Sequence, residues 1–148
     1  MATTYNVPAG ASAMPVTETQ VVHSTYTLLK YLYAIVPIVA GADKFTNFLA
    51  RWETYLNPRV LDIVPVTAST FMRGVGIIEI AAGVLVFLKP RIGGFVVMAW
   101  LLAIAAQLLL GGRFLDIAVR DIVMALGGAL ALARLARFAD EKTGADAH

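Results

Sequence analysis

A chain of 148 residues that is 59% hydrophobic and only 15% charged, with a mean hydropathy of +0.74, is too apolar for a soluble domain, where about 45–50% apolar and 25% charged residues are usual. The formal net charge of +2 is small, and its basic residues gather in loops and at helix ends, a membrane-topology pattern and not a nucleic-acid footprint. Without cysteine there is no disulfide, thiolate nucleophile, iron–sulfur or Cys-type zinc ligation, and His23 and His148 cannot meet inside one bundle to hold a bis-His haem.

Residues 1–23 are polar, carry Pro8, Gly10 and Pro15, and lack the basic and apolar regions of a signal peptide; they read as an extended tail. The first apolar segment, about 24–48, predicts a span that serves as an uncleaved insertion signal. Lys30 there snorkels to the interface, Tyr26, Tyr31 and Tyr33 suit an aromatic belt, and Pro37 predicts a kink. Residues 49–67 are too charged to cross a bilayer. They space Trp52, Tyr55, Leu56, Val60 and Ile63 as short amphipathic pieces on the membrane face, broken near Pro58 and Pro65.

The second predicted span, 71–88, is organised around a contradiction: it is long enough to cross, yet holds Arg73 and, near its middle, Glu79. An ionised group at that depth costs roughly 2.5–3.5 kcal/mol on insertion scales. At helical periodicity Arg73, Gly76, Glu79, Ile80 and Gly83 share an arc of about 120°, so this face is expected to meet other helices and not lipid. Lys89 and Pro90 then turn into a third span, 92–110, with close-packing surfaces at Gly93, Gly94, Ala103, Ala105 and Ala106 and a single strongly polar residue, Gln107. A turn at Gly111, Gly112 and Arg113 leads to a fourth span, 114–135, with Asp116, Arg120 and Asp121 early and Gly127 and Gly128 in its middle. Residues 139–148 read as a polar tail.

These elements predict an all-α fold: a four-transmembrane-helix antiparallel bundle with an amphipathic interfacial segment between its first two helices. The topology brings Asp43, Lys44, Arg73, Gln107, Arg120 and Asp121 to one side of the membrane, with Glu79 deeper. Basic residues near span ends, Lys30, Lys89, Arg91, Arg134, Arg137 and Lys142 against Lys44, Arg51, Arg59, Arg113 and Arg120, favour both termini inside.

Three readings of this polar layer stay open. In one it is structural, Arg73 pairing with Asp121 or Asp43 to set helix register. In another it receives a quinone: Arg73, Lys44 and Gln107 donate to the carbonyls, and Glu79 or Asp121 exchanges protons. In the third, Glu79 and Arg73 belong to a path for protons or a small solute.

The run Arg73, Gly76, Glu79, Gly83 within the second span, Arg120-Asp121 heading the fourth, and Gly41-Ala-Asp-Lys44 closing the first together resemble the DoxX family of small four-helix membrane proteins, over roughly residues 28–137. Lys30 stands where that pattern has an arginine, and the first loop is more charged than is usual. The resemblance implies a membrane subunit of a quinone-linked or other electron-transfer oxidoreductase assembly in a bacterial inner membrane, with Lys44, Arg73, Glu79, Arg120 and Asp121 at motif positions. The partners expected are lipid and either other membrane subunits or further copies of the chain; the cofactor expected is a quinone, with none held through Cys or His.

Overall fold

A computed structural model describes residues 18–145, and the fold is all-helical, with no strand among them. The elements are α1 (Glu18–Asp43), a 3-10 turn (Trp52–Tyr55), α2 (Pro58–Ile63), α3 (Ala68–Leu88), α4 (Pro90–Gly111), α5 (Leu115–Val123), a π-helical stretch (Met124–Ala129) and α6 (Leu130–Ala145). Three helices, Gln20–Asp43, Ala68–Leu88 and Pro90–Gly111, are long and apolar enough to cross a membrane. Large apolar side chains cover the outside, among them Leu28, Ile35, Val39, Ile77 and Ile92, as befits an integral membrane protein in contact with lipid.

Local chemistry sets the helix ends. Thr67 caps α3 by accepting from the Thr70 amide, Asn57 caps α2 ahead of Pro58, Pro90 occupies the first turn of α4, and Gly112, at φ 62°, closes α4 in the left-handed conformation that glycine adopts without strain. Pro58 therefore starts a helix where a break is expected from the sequence. Pro37 lies inside α1 without ending it. The first helix begins at Glu18, earlier than residue 24, because no Gly or Pro interrupts the chain after Pro15. It stops at Asp43 and not near residue 48, since the Asp43 carboxylate captures the amides that would continue the helix. The expected tail at 139–148 is helical as far as Ala145; residues 1–17 of the expected N-terminal tail lie outside the described residues.

α1 packs chiefly on α3, α3 on α4, α4 on α5 and α6, and α6 returns to α1. The core is built of small residues: Ala34, Ala82, Val86, Val97, Ala129 and Leu132 cluster between the helices, and Ala105, Leu108 and Ala118 pack between α4 and α5. Without a hydrophobic drive between helices in lipid, such residues supply stability through close contact. The tightest contact is between α1 and α3, where a Cβ on Gly76 would stand 2.5 Å from the Gly41 carbonyl oxygen, and one on Gly83 2.5 Å from that of Ala34.

The expected fourth span is no single long α-helix. Leu115 to Ala145 is helical without a break, but Met124–Ala129 widens to π geometry, which leaves a main-chain carbonyl without its usual partner. The Tyr33 hydroxyl of α1 donates to the Met124 carbonyl at 2.7 Å, and a Cβ on Gly128 would overlap that hydroxyl. The glycine is thus required for the tyrosine to reach the carbonyl.

Gly76→Ala is expected to lower stability by about 1–3 kcal/mol through overpacking. Gly74→Ala, where a Cβ meets nothing within 4 Å, is expected to leave it unchanged. Thermal unfolding in detergent followed by circular dichroism checks both.

Candidate functional site

The charge at the middle of α3 is matched by a partner from α1. Lys44 Nζ lies 2.5 Å from Glu79 Oε2, with 4% and 8% of the two side chains exposed. Gly41 and Gly76 make this possible: their contact brings the backbones together one turn from the pair, so that a Cβ on Gly76 would already touch the Lys44 Cβ at 3.2 Å. Lys44 also contacts the Ala40 carbonyl and is roofed by the Trp52 ring, 3.7 Å from its centroid. The second Glu79 oxygen accepts from Trp100 Nε1 of α4 at 3.5 Å. Three helices and the loop thus meet at one buried ion pair.

Asp43, next to Lys44, holds the loop in place. Its carboxylate accepts from the Thr46 hydroxyl at 3.0 Å, from the amides of Phe48, Leu49 and Ala50 at 2.9 to 3.3 Å, and from Trp52 Nε1 at 2.7 Å. The last bond sets the Trp52 ring over Lys44. Asn47, at φ 53°, allows the reversal, a conformation that asparagine tolerates better than most residues. Its side-chain amide donates to both oxygens of Glu53, at 3.1 and 3.2 Å, and holds that carboxyl below its ordinary value.

The sequence-predicted polar layer is divided by the structure. Lys44 and Glu79 come together. Gln107 is engaged elsewhere: its Oε1 accepts from the Asn57 amide and its Nε2 donates to the Tyr55 carbonyl, both at 3.0 Å, clamping the loop to the end of α4. That amide is held by the loop on both its oxygen and its nitrogen, away from Lys44 and Glu79. Arg73 is exposed and pairs with neither Asp43 nor Asp121; it is near enough to Glu53 to help hold that carboxyl ionised. Its place at the edge of the glycine arc, one turn above Gly76, points it outward. Arg120 pairs with its neighbour Asp121, at 3.3 Å, the arginine 63% exposed and the aspartate 6%. Among the described residues no hydrogen bond or ion pair joins these groups to Lys44 and Glu79.

Sequence reasoning missed Trp52 and Trp100 as members of the site. The two tryptophans of the chain fall in a charged loop and in an otherwise apolar helix, positions that carry no periodic signal linking them to Glu79.

Trp100 also marks the end of an open apolar groove of about 570 Å³ between α3 and α4, lined by Ile77, Ile78, Ala81, Leu85, Val96 and Ala99. Its indole therefore has lipid-side surface on the groove and a polar N–H aimed at Glu79. Chemically the arrangement offers an open apolar groove bounded by Trp100, whose N–H is turned to a buried carboxylate paired with an ammonium. Among the described residues no cluster of His, Asp and Glu could hold a metal ion. Comparison with protein-family models, curated proteins and solved structures finds no match to the chain.

Lys44→Met leaves Glu79 buried without its countercharge and is expected to destabilise the fold by about 3–5 kcal/mol. Lys44→Met combined with Glu79→Leu is expected to recover most of that loss. A double-mutant cycle by chemical denaturation in micelles tests this, and additive losses would rule out a direct pair.

Proposed function

We propose that the chain is a four-span membrane subunit, DoxX-like in its motifs, of a quinone-linked oxidoreductase assembly, and that the quinone headgroup binds where the α3/α4 groove meets Trp100 and Glu79. The observation that carries this reading is the junction of an apolar groove with a buried carboxylate through the Trp100 indole. An isoprenoid tail needs such a groove and a quinone carbonyl needs such a donor. In this reading Trp100 takes the part of carbonyl donor first given to Arg73, Lys44 and Gln107.

Reduction of a quinone to a quinol consumes two electrons and two protons. With no cysteine and no histidine between His23 and His148, the electrons come from a redox centre of a partner subunit. Glu79 is the carboxylate placed to exchange protons, with Lys44 as its ion-pair partner. The fourth span in this reading lies within the continuous helical run Leu115 to Ala145, and both termini lie on the cytoplasmic side of a bacterial inner membrane, in line with the excess of Lys30, Lys89, Arg91, Arg134, Arg137 and Lys142 at that side.

A second reading, a non-catalytic accessory subunit, is favoured by saturation. Asp43, Lys44, Glu79 and Gln107 all have intramolecular partners, as a purely structural network would.

Saturable quenching of tryptophan fluorescence by a short-tailed quinone analogue, in micelles, separates the two. Ala99→Phe, which fills the groove without touching the ion pair, is expected to weaken binding about tenfold or more, a loss of at least ~1.4 kcal/mol. Equal quenching of wild type and Ala99→Phe would mean unspecific partition and would leave the accessory reading in place.

A further inference from the structure

The turn that follows α1 exposes three large apolar side chains close together in the sequence: Phe48 is 87% exposed, Leu49 63% and Phe45 46%. Its depth is set by its neighbours. Lys44 lies level with Gly76 of α3, and Arg73 stands three residues above, about 4.5 Å along the axis. From Gly74 to Leu88 the sole charge on α3 is Glu79, already paired. The turn thus leaves α1 where the apolar part of α3 begins, with exposed Arg51 and Arg73 suited to the headgroup level.

Irregular backbone at such a depth is tolerated only when its polar groups are satisfied from within the protein. Here each is. The amides of Lys44, Phe45, Thr46 and Asn47 donate to carbonyls of residues 40 to 43, and those of Phe48, Leu49 and Ala50 donate to the Asp43 carboxylate. Every peptide N–H from Lys44 to Ala50 is therefore turned inward, which removes the penalty of burying it away from water. The same wrapping leaves the side chains of Phe48 and Leu49 on the outside.

We infer that residues 45–49 form a lipid-inserted anchor, in which Phe45, Phe48 and Leu49 enter the acyl boundary of a phospholipid leaflet while the Asp43 carboxylate neutralises the backbone behind them. Burying these side chains in acyl chains is favourable in proportion to the apolar area removed from water. The anchor does not depend on the quinone reading.

A chain without cysteine suits site-directed spin labelling. Phe48→Cys and Leu49→Cys, both at exposed positions, are labelled with a nitroxide in the full chain reconstituted into phosphatidylcholine and phosphatidylglycerol nanodiscs. Collision rates with oxygen, which concentrates in the acyl region, are compared with those for a water-soluble nickel chelate, using Asp62→Cys as an exposed reference on α2. The expected result is an oxygen-to-nickel ratio several-fold higher at both labels than at position 62. A ratio equal to that at 62 would put the turn in water and overturn the inference. Labels immobilised and shielded from both reagents would show a protein partner there and overturn it equally.

Discussion

The buried pair of Lys44 and Glu79 is the constraint on which the rest of the structure depends. A carboxylate near the middle of a membrane-length helix has to be neutralised, and the neutralising group here comes from the first residue beyond α1. That choice imposes others. The backbones of α1 and α3 must approach until Gly41 and Gly76 touch, α1 must end beside the apolar part of α3, and the chain that follows must turn at once without exposing its amides to lipid. Trp52 and Trp100 close the pair from the loop and from α4.

Asp43 answers the last of these demands. As a capping group at the end of a helix it would do little, since helix C-termini favour cations. As the acceptor for successive amides and an indole, it converts an exposed turn into a self-contained one. The neighbouring Lys44 and Asp43 therefore divide two tasks: one joins the helices, the other makes the reversal compatible with its depth. A comparable exchange holds on the other side of α1, where Tyr33 satisfies the carbonyl freed by the π-turn because Gly128 leaves it room.

The polar network is both saturated and adjacent to an apolar groove, and this combination is what the proposed quinone role and the accessory role have in common. Glu79 touches the groove only through Trp100, so a ligand would compete for the indole N–H and not for the ion pair itself. Binding and stability would then draw on different atoms of the same carboxylate, Oε1 facing Trp100 and Oε2 facing Lys44.

Apolar length and glycine periodicity made much of this legible in the sequence. The spans at α3 and α4 were readable to within a few residues, and Gly76, Glu79 and Gly83 form the buried side of α3 as their common arc requires. The arc also contained its own warning in Arg73, which sits at the edge and turns outward. Gln107 was readable as a polar group in an apolar helix, but its attachment to Tyr55 and Asn57, about fifty residues earlier in the chain, was not.

Sequence by itself determined that Glu79 needs a partner, because a membrane-length apolar helix cannot carry an unpaired charge at its centre. Only the tertiary structure decided that Lys44 would be that partner and Arg73 would not. Both are long, flexible cations within reach along the axis, and the choice rests on the rotation of α1 against α3 at the glycine contact. That rotation is a property of two surfaces fitted together, and no periodicity within either helix encodes it.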